Sequence, residues 1–246
     1  MIIYLLLPAY NEESAIPKLL VSIDSVSKRY NLNIKTVVVD DGSSDKTAET
    51  VLNAISGLAV ELVRHSVNQG LGITLNTGIR HILEIANKED LMVVMDADNT
   101  HSPAQIPELI DKSNKGADVV IASRYAKGGK EFGVPLHRRM LSMFASVLFQ
   151  LRFRIKGVTD FTCGYRLYKM PVIHKMNQLY KPIIEERSFA CSLELLLKAA
   201  SAGARFAEIP MELRYDNKQG ESKMKIVQTI MASFKLLSKK KPVRSV

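Results

Sequence analysis

Short apolar runs alternate with segments of helical period, and that alternation limits the possible folds more than any other feature of the chain. The runs are Ile2–Leu7, Thr36–Val39, Leu58–Val63, Leu91–Met95 and Asp118–Ile121. Between them, Glu13–Tyr30 repeats apolar side chains at Ile16, Leu19, Leu20, Ile23 and Val26, the spacing of one helix face. Helices are also expected from about Asp45 to Ile55, over Gln69–Ala86 and over Pro103–Ser113, the first capped by Ser44 or Asp45. Valine-rich runs of four to six residues read as strands buried on both faces. The expectation is an α/β domain, a mostly parallel central sheet flanked by helices, whose ligands bind at the carboxyl ends of the strands. With 246 residues, one large domain is more natural than two small ones.

The second half is less regular. Lys127–Pro135 reads as a mobile Gly- and Lys-containing loop. Arg138–Arg154 has Leu141, Phe144, Val147, Leu148 and Leu151 on one face of a helix, Arg187–Ala202 is an apolar helix carrying Glu194, and Phe206–Met211 is a strand. Gly220–Leu237 ends in an amphipathic helix, and Lys239–Lys241 with Arg244 form a basic tail. The expected division is therefore a domain over 1–237 and a tail over 238–246. The opening apolar run has no basic leader and stops at Pro8, which marks a first strand rather than a signal segment. No run reaches the ~18–20 apolar residues of a membrane span. Cys163 and Cys191 make no disulfide framework, so a reducing compartment is the default. The net charge of +9 points to anionic partners; charge alone does not choose among phosphorylated ligands, anionic lipid and nucleic acid.

Chemistry gathers at three strand ends: Pro8-Ala9-Tyr10-Asn11-Glu12-Glu13, Asp40-Asp41-Gly42-Ser43-Ser44-Asp45 and Asp96-Ala97-Asp98-Asn99-Thr100-His101. Each alone is ordinary turn chemistry. Together, along one edge of a parallel sheet, they line a nucleotide-sized crevice in which Tyr10 offers a ring and Asp41 a carboxylate. Asp96 and Asp98 point the same way if the strand geometry persists. Two like charges that close call for a counter-charge, and a hard divalent ion supplies one. His65, His81, His137 and His174 show no ligand spacing; His101 either supports the acidic pair from behind or caps the helix at Pro103.

These stretches resemble the family 2 inverting glycosyltransferases of GT-A fold, most of all the dolichol-phosphate mannosyltransferase type of polyprenyl-phosphate glycosyltransferase. The matching segments run in order: Leu7–Glu13, Val38–Thr47, Asn68–Gly72, Asp96-Ala97-Asp98 with His101-Ser102-Pro103, Ser123-Arg124-Tyr125, Asp160–Arg166 and Gly220-Glu221-Ser222-Lys223. The resemblance implies a single GT-A (nucleotide-diphospho-sugar transferase) domain. Pro8, Tyr10, Glu12, Val39 and Asp41 would hold the nucleoside of a GDP- or UDP-hexose. Asp96 and Asp98 would hold Mg²⁺ or Mn²⁺ with Thr100 completing the shell, Ala97 would line the site through its backbone, and Lys223 would meet the donor phosphates. Arg124, Arg138 and Ser142 would take an acceptor phosphate. Where relatives carry Arg about six residues before the loop lysine, this chain has Asn217, with Lys218 next and Arg214 further back.

The implied activity is transfer of a hexose, mannose or glucose, to a polyprenyl or dolichyl phosphate, with Asp98, Arg124 and Asp160 as catalytic candidates. A phosphate acceptor is already anionic and needs no base. The rival within the class, transfer to a glycan hydroxyl, needs a positioned carboxylate, for which Asp160 is the candidate; the competing view makes Asp160 an anchor for the loop before Gly164. Glu194 either orients a basic group or is a partnered core carboxylate. A processive synthase is disfavoured because its tryptophan-containing element has no counterpart in a chain with no Trp. A sugar-phosphate nucleotidyltransferase lacks support because no Gly-rich loop with Arg follows the first strand. The non-enzyme alternative is a nucleotide-sugar-binding subunit. The expected location is the cytoplasmic face of the membrane, reached by peripheral contact through Arg138–Arg154 and Ser222–Leu237 or through a membrane-protein partner, with no nucleic acid involved.

Overall fold

The computed structural model describes residues 1–54, 58–218 and 226–237. Its first half runs β1 (Ile3–Ala9), α1 (Ile16–Tyr30), β2 (Ile34–Asp40), α2 (Thr47–Ala54), β3 (Val60–Arg64), α3 (Leu71–Ile85), β4 (Leu91–Val94), a 3-10 turn at Pro103–Gln105, α4 (Ile106–Asn114) and β5 (Val119–Ser123). There follow β6 (Lys130–Phe132), α5 (Leu136–Phe153), β7 (Arg166–Lys169), α6 (Met170–Leu179), α7 (Cys191–Ser201), β8 (Phe206–Pro210), β9 (Glu212–Arg214) and α8 (Ile226–Leu237).

Seven strands form the central sheet in the order β3-β2-β1-β4-β7-β5-β8. All neighbours pair in parallel except β7, which lies antiparallel between β4 and β5. The two-residue period of a strand sends alternate side chains to opposite faces. Leu5 and Leu7 accordingly pack with Leu19 and Ile23 of α1 and Leu109 of α4, whereas Tyr4 and Leu6 pack with Leu75 and Ile79 of α3 and Ile173 of α6. The sheet is thus covered on both sides, as the apolar runs require.

Helix α1 begins at Ile16 rather than Glu13 because Pro17 lies in its first turn, where a missing N–H is harmless. Asp45, not Ser44, serves the start of α2: its Oδ1 accepts from Thr47 N at 2.9 Å. Ser102, not His101, caps the turn at Pro103, its Oγ accepting from Ala104 N at 3.3 Å.

Four elements escape the sequence pattern. β7 reads Arg-Leu-Tyr-Lys, too short and too polar at its ends to announce a strand, and α6 follows it directly. β6 and β9 pair as a small parallel ribbon, so the loop expected to be mobile is tied down at Lys130–Phe132. The apolar face of α5 read from the sequence is not the face that packs: Ser146, Phe149 and Phe153 are buried, while Leu141, Phe144, Val147 and Leu151 are exposed. The tail over 238–246, Lys223 and the rest of Gly220–Lys223 lie outside the described residues. Among those described, no helix is long and apolar enough to cross a membrane.

Candidate active site

The ends of β1, β2 and β4 are adjacent, because those strands are neighbours in the sheet. Their loops are laced together. Asn11 N donates to Ser43 Oγ and Ser44 N donates to Asn11 Oδ1, both at 2.9 Å, while Glu12 N meets Thr47 Oγ1 at 2.8 Å and Lys46 N meets Glu13 Oε2 at 2.8 Å. Tyr10 stands half-buried on this rim, and Pro8 pairs in register with Val39. Val39 itself is fully buried between sheet and helix, so its side chain belongs to the core and only its backbone is left for a ligand.

Asp41 is more occupied than the sequence suggested. Oδ1 accepts from Gln69 N at 2.9 Å and from His65 Nδ1 at 2.8 Å, and Oδ2 accepts from Gly70 N at 2.9 Å. His65 is fixed in turn by Thr77 Oγ1, 2.9 Å from its Nε2. A carboxylate offers about four acceptor positions; three here organise the loop after β3, leaving Oδ2 with room for one ligand donor. Gly42 lets that loop approach, since a Cβ there would lie 2.4 Å from the Val67 carbonyl carbon.

At the end of β4, Asp98 is buried and Asp96 half-buried. Thr100 donates from both its N (3.1 Å) and its Oγ1 (2.6 Å) to Asp98 Oδ1. Asp98 Oδ2 is ion-paired with Lys218 Nζ. Burial pushes the Asp98 carboxyl up, but the charge and hydrogen bond of Lys218, with the Thr100 bond, outweigh it and hold the group below its ordinary value. Asp96 is shifted the other way: loss of water raises it, His101 opposes, and the nearby Asp98 charge adds to the rise. His101 stacks on Tyr165 with ring centroids 5.1 Å apart, and its Nδ1 accepts from Asp96 N at 3.3 Å. It therefore supports the acidic pair from behind.

This donor set fits Mg²⁺ or Mn²⁺. It is two hard carboxylates one residue apart, of which Asp98 gives Oδ2 to Lys218 in this structure; the described residues hold no cluster of three metal-ligating side chains, so phosphate and water would complete the shell. Mg²⁺ typically uses one or two carboxylates and fills its shell with phosphate and water. Thr100 donates its hydroxyl proton to Asp98 and keeps the oxygen lone pairs that a metal ligand would use.

The antiparallel β7 explains the other half of the site. Because it runs against β4 and β5, its first residue, not its last, reaches the ligand edge, and residues 160–165 arrive beside the end of β5. There Arg124 forms a two-pronged pair with fully buried Asp160: Nε to Oδ2 and Nη2 to Oδ1, each 2.7 Å. Nη2 also donates to Thr162 Oγ1 at 2.6 Å, and Nη1 lies 3.6 Å from Glu131 Oε1. Ser142 Oγ, on α5, is 3.1 Å from both Thr162 Oγ1 and Tyr125 Oη. Arg138, one turn earlier, donates to Tyr215 Oη at 2.8 Å, and the Tyr215 ring lies 5.8 Å from Lys218 Nζ. Arg138, Tyr215, Lys218 and Asp98 so connect the arginine cluster to the acidic pair.

Asp160 does not fit a catalytic base. Its Oδ1 also accepts from Thr162 N and Cys163 N, and burial, which would raise its carboxyl, is overridden by Arg124 so that it stays below the usual range. It anchors the loop and aims Arg124. Glu194 is a partnered core carboxylate, accepting from Glu185 N and Glu186 N and pairing with Lys198 at 2.8 Å. Burial pushes the thiols of Cys163 and Cys191 up to about 12, so neither is a nucleophile at neutral pH.

Three contributors were not legible as such: Tyr215, Thr162 and Glu208. Glu208 Oε1 accepts from Thr159 N at 2.6 Å and from Asp160 N at 2.8 Å, fixing the backbone that carries Asp160. Glu208→Ala leaves two amides without their acceptor, an expected loss of ~1–3 kcal/mol in unfolding free energy. With Arg124 as the expected acceptor-phosphate residue, it should also raise the acceptor KM several-fold while the donor KM stays unchanged, and Glu208→Gln, which keeps an oxygen there, should recover most of both. Denaturant titration and two-substrate kinetics check this; equal effects on both KM values would count against the positioning role.

A family model described as Glycosyl transferase family 2 matches residues 4–176. Over 221 residues the chain is 31% identical to a dolichol-phosphate mannosyltransferase of Pyrococcus furiosus, covering 89% of this chain and 58% of that protein. An undecaprenyl-phosphate mannosyltransferase of Micrococcus luteus is 31% identical over the same share of this chain and 86% of its own length. The chain thus spans less than two thirds of the first relative and most of the second. The fold is shared with glucosyl-3-phosphoglycerate synthase of Mycobacterium tuberculosis, solved with Mn²⁺, UDP and glucosyl-3-phosphoglycerate. That likeness has a TM-score of 0.66 at 18% identity and covers 96% of this chain and 79% of that one.

Proposed function

The chain belongs to glycosyl transferase family 2, and from that premise we propose that it transfers a hexose, mannose foremost, from a GDP- or UDP-sugar to a polyprenyl phosphate at the cytoplasmic face of a membrane. The observation that carries this is the arginine cluster. Arg124 and Ser142 share Thr162, and Arg138, one turn before Ser142, is linked through Tyr215 and Lys218 to the acidic pair. A transferase for glycan hydroxyls has no use for such a cationic receptor, and Asp160, its candidate base, is saturated with donors. The mannosyl and polyprenyl-phosphate parts of the proposal draw support from the names of the two relatives.

In this reading the loops after β1 and β2 hold the nucleoside, with Asp41 Oδ2 accepting from it. Asp96 and Asp98 would hold Mg²⁺ or Mn²⁺, which when bound neutralises the diphosphate that departs. Lys218, the partner of Asp98, would add a positive charge beside that diphosphate. Lys223, outside the described residues, is proposed as a further cation for the donor phosphates. Arg124 has five N–H donors, three of them spent on Asp160 and Thr162, so Nη1, which pairs with Glu131 at 3.6 Å, is the nitrogen that would turn to a phosphate oxygen. A phosphate held there attacks the anomeric carbon from the face opposite the diphosphate. One C–O bond forms as the other breaks, the configuration inverts, and no proton has to be removed.

Purified protein supplied with radiolabelled GDP-mannose or UDP-glucose, Mn²⁺ and a short polyprenyl phosphate should yield a label that partitions into organic solvent. Label appearing only on soluble glycans would replace the acceptor assignment; none on any acceptor, with donor still bound, would favour a nucleotide-sugar-binding subunit.

A further inference from the structure

Helix α5 has an apolar face that the other described residues leave uncovered. Leu136, Met140, Met143, Phe144, Val147 and Leu151 are 70, 58, 51, 59, 48 and 64% exposed. At 3.6 residues per turn these six positions fall within an arc of about 100°. Single exposed apolar side chains are ordinary, but a continuous stripe along a whole helix marks an interaction surface. The buried anchors Phe149 and Phe153 leave from the far side, so the stripe is surplus to packing.

The charges around the stripe say what covers it. The 18 residues of α5 include no Asp or Glu. Arg139, ion-paired through Nε with Glu131 at 3.1 Å, is exposed at its start, and Arg154 and Lys156 are exposed just beyond its end. Arg154 and Lys156, together with Lys112 of α4, line a cleft of about 640 Å³. An apolar stripe bracketed by cations matches the boundary between acyl chains and anionic headgroups. A second copy of the chain would instead bring these cations against one another.

We propose that α5 is a bilayer-docking helix. It lies flat on an anionic membrane, with Met140, Phe144 and Leu151 entering the acyl boundary and the cations at its two ends among the lipid phosphates. This rests on the reading of a lipid-borne acceptor and adds to it how that acceptor is reached. Arg138 and Ser142 lie on the opposite side of the same helix, about 10 Å above the stripe, so docking brings the arginine cluster close to headgroup level.

The test uses the full chain, without donor or acceptor, floated with vesicles of phosphatidylcholine alone or mixed with phosphatidylglycerol. The expected result is binding to the mixed vesicles that weakens as salt rises. The double variant Phe144→Ser with Leu151→Ser should bind at least tenfold more weakly. Arg154→Glu with Lys156→Glu should abolish the preference for phosphatidylglycerol. Because all four side chains are exposed, thermal midpoints should hold, and turnover with a water-soluble short-chain acceptor phosphate should hold too. Absence of vesicle binding, binding indifferent to both variants, or a concentration-dependent dimer lost in Phe144→Ser with Leu151→Ser would each overturn the proposal. Loss of turnover on the soluble acceptor in the unmodified chain would instead strike the catalytic assignment.

Discussion

Replacing Asp98 with Ala should lower the rate of sugar transfer about a thousandfold, equivalent to ~4 kcal/mol of lost transition-state stabilisation. The charge that builds on the departing diphosphate is the largest electrostatic demand of the reaction, and Asp98 is the buried member of the acidic pair that would organise its neutralisation. The substitution is not silent in the fold. It removes the acceptor of Thr100 N and Oγ1 and the partner of Lys218, so ~1–3 kcal/mol of stability should go with it. Asp98→Asn keeps the shape and one acceptor oxygen, and should separate the two effects: a nearly normal thermal midpoint with transfer still down by orders of magnitude. Rates with saturating donor and Mn²⁺, set beside thermal unfolding of both variants, read this out. Full turnover in either variant would remove the acidic pair from the chemistry.

The second large effect is expected at Arg124, and here stability leads. Arg124→Ala strands the Asp160 carboxylate in the interior with only neutral donors, the kind of deletion that costs ~3–5 kcal/mol. Acceptor binding should be lost as well. Arg124→Lys rescues little, since a single ammonium cannot replace two parallel hydrogen bonds. The effect has a pH signature. In the natural chain Asp160 is held below its ordinary value, so its contribution is complete above the unfolded carboxylate value of about 3.9. That contribution is lost only as pH falls through the lower folded value. Without Arg124 the balance moves toward the burial that raises the carboxyl. The variant should therefore lose stability at a higher pH than the parent during acid titration. Superimposable acid-unfolding curves would show that the pair contributes nothing to folding.

Much of this arrangement could be read from the sequence where the physics is local. A run such as Leu91–Val94 can hardly avoid being a buried strand, and the turn chemistry after β1, β2 and β4 placed the donor-side candidates at one edge. What sequence could not supply depends on long-range partners. Asp41 and Asp160 are the right residue types in the right loops, yet their jobs follow from Gln69 and Gly70 and from Arg124, contacts that no spacing rule encodes. β7 was hidden because its four residues lean on neighbours at both sides for their strand conformation. The apolar face of α5 is legible but its exposure is not, for a related reason: apolar periodicity reports a surface that avoids water without saying whether protein or lipid covers it.

The reversed strand carries a broader implication. One half of the cleft is assembled from consecutive parallel units, the other from the segment that β7 returns to the sheet and from α5. Under the proposed function, recognition of the activated sugar, apart from Lys218 and Lys223, and recognition of its recipient are encoded in separate stretches of polypeptide that meet at the crevice. Such modularity lets the recipient side diverge while the sugar-nucleotide side stays fixed, and it makes the interval between β5 and β7 the natural segment to exchange when grafting a new specificity onto this scaffold.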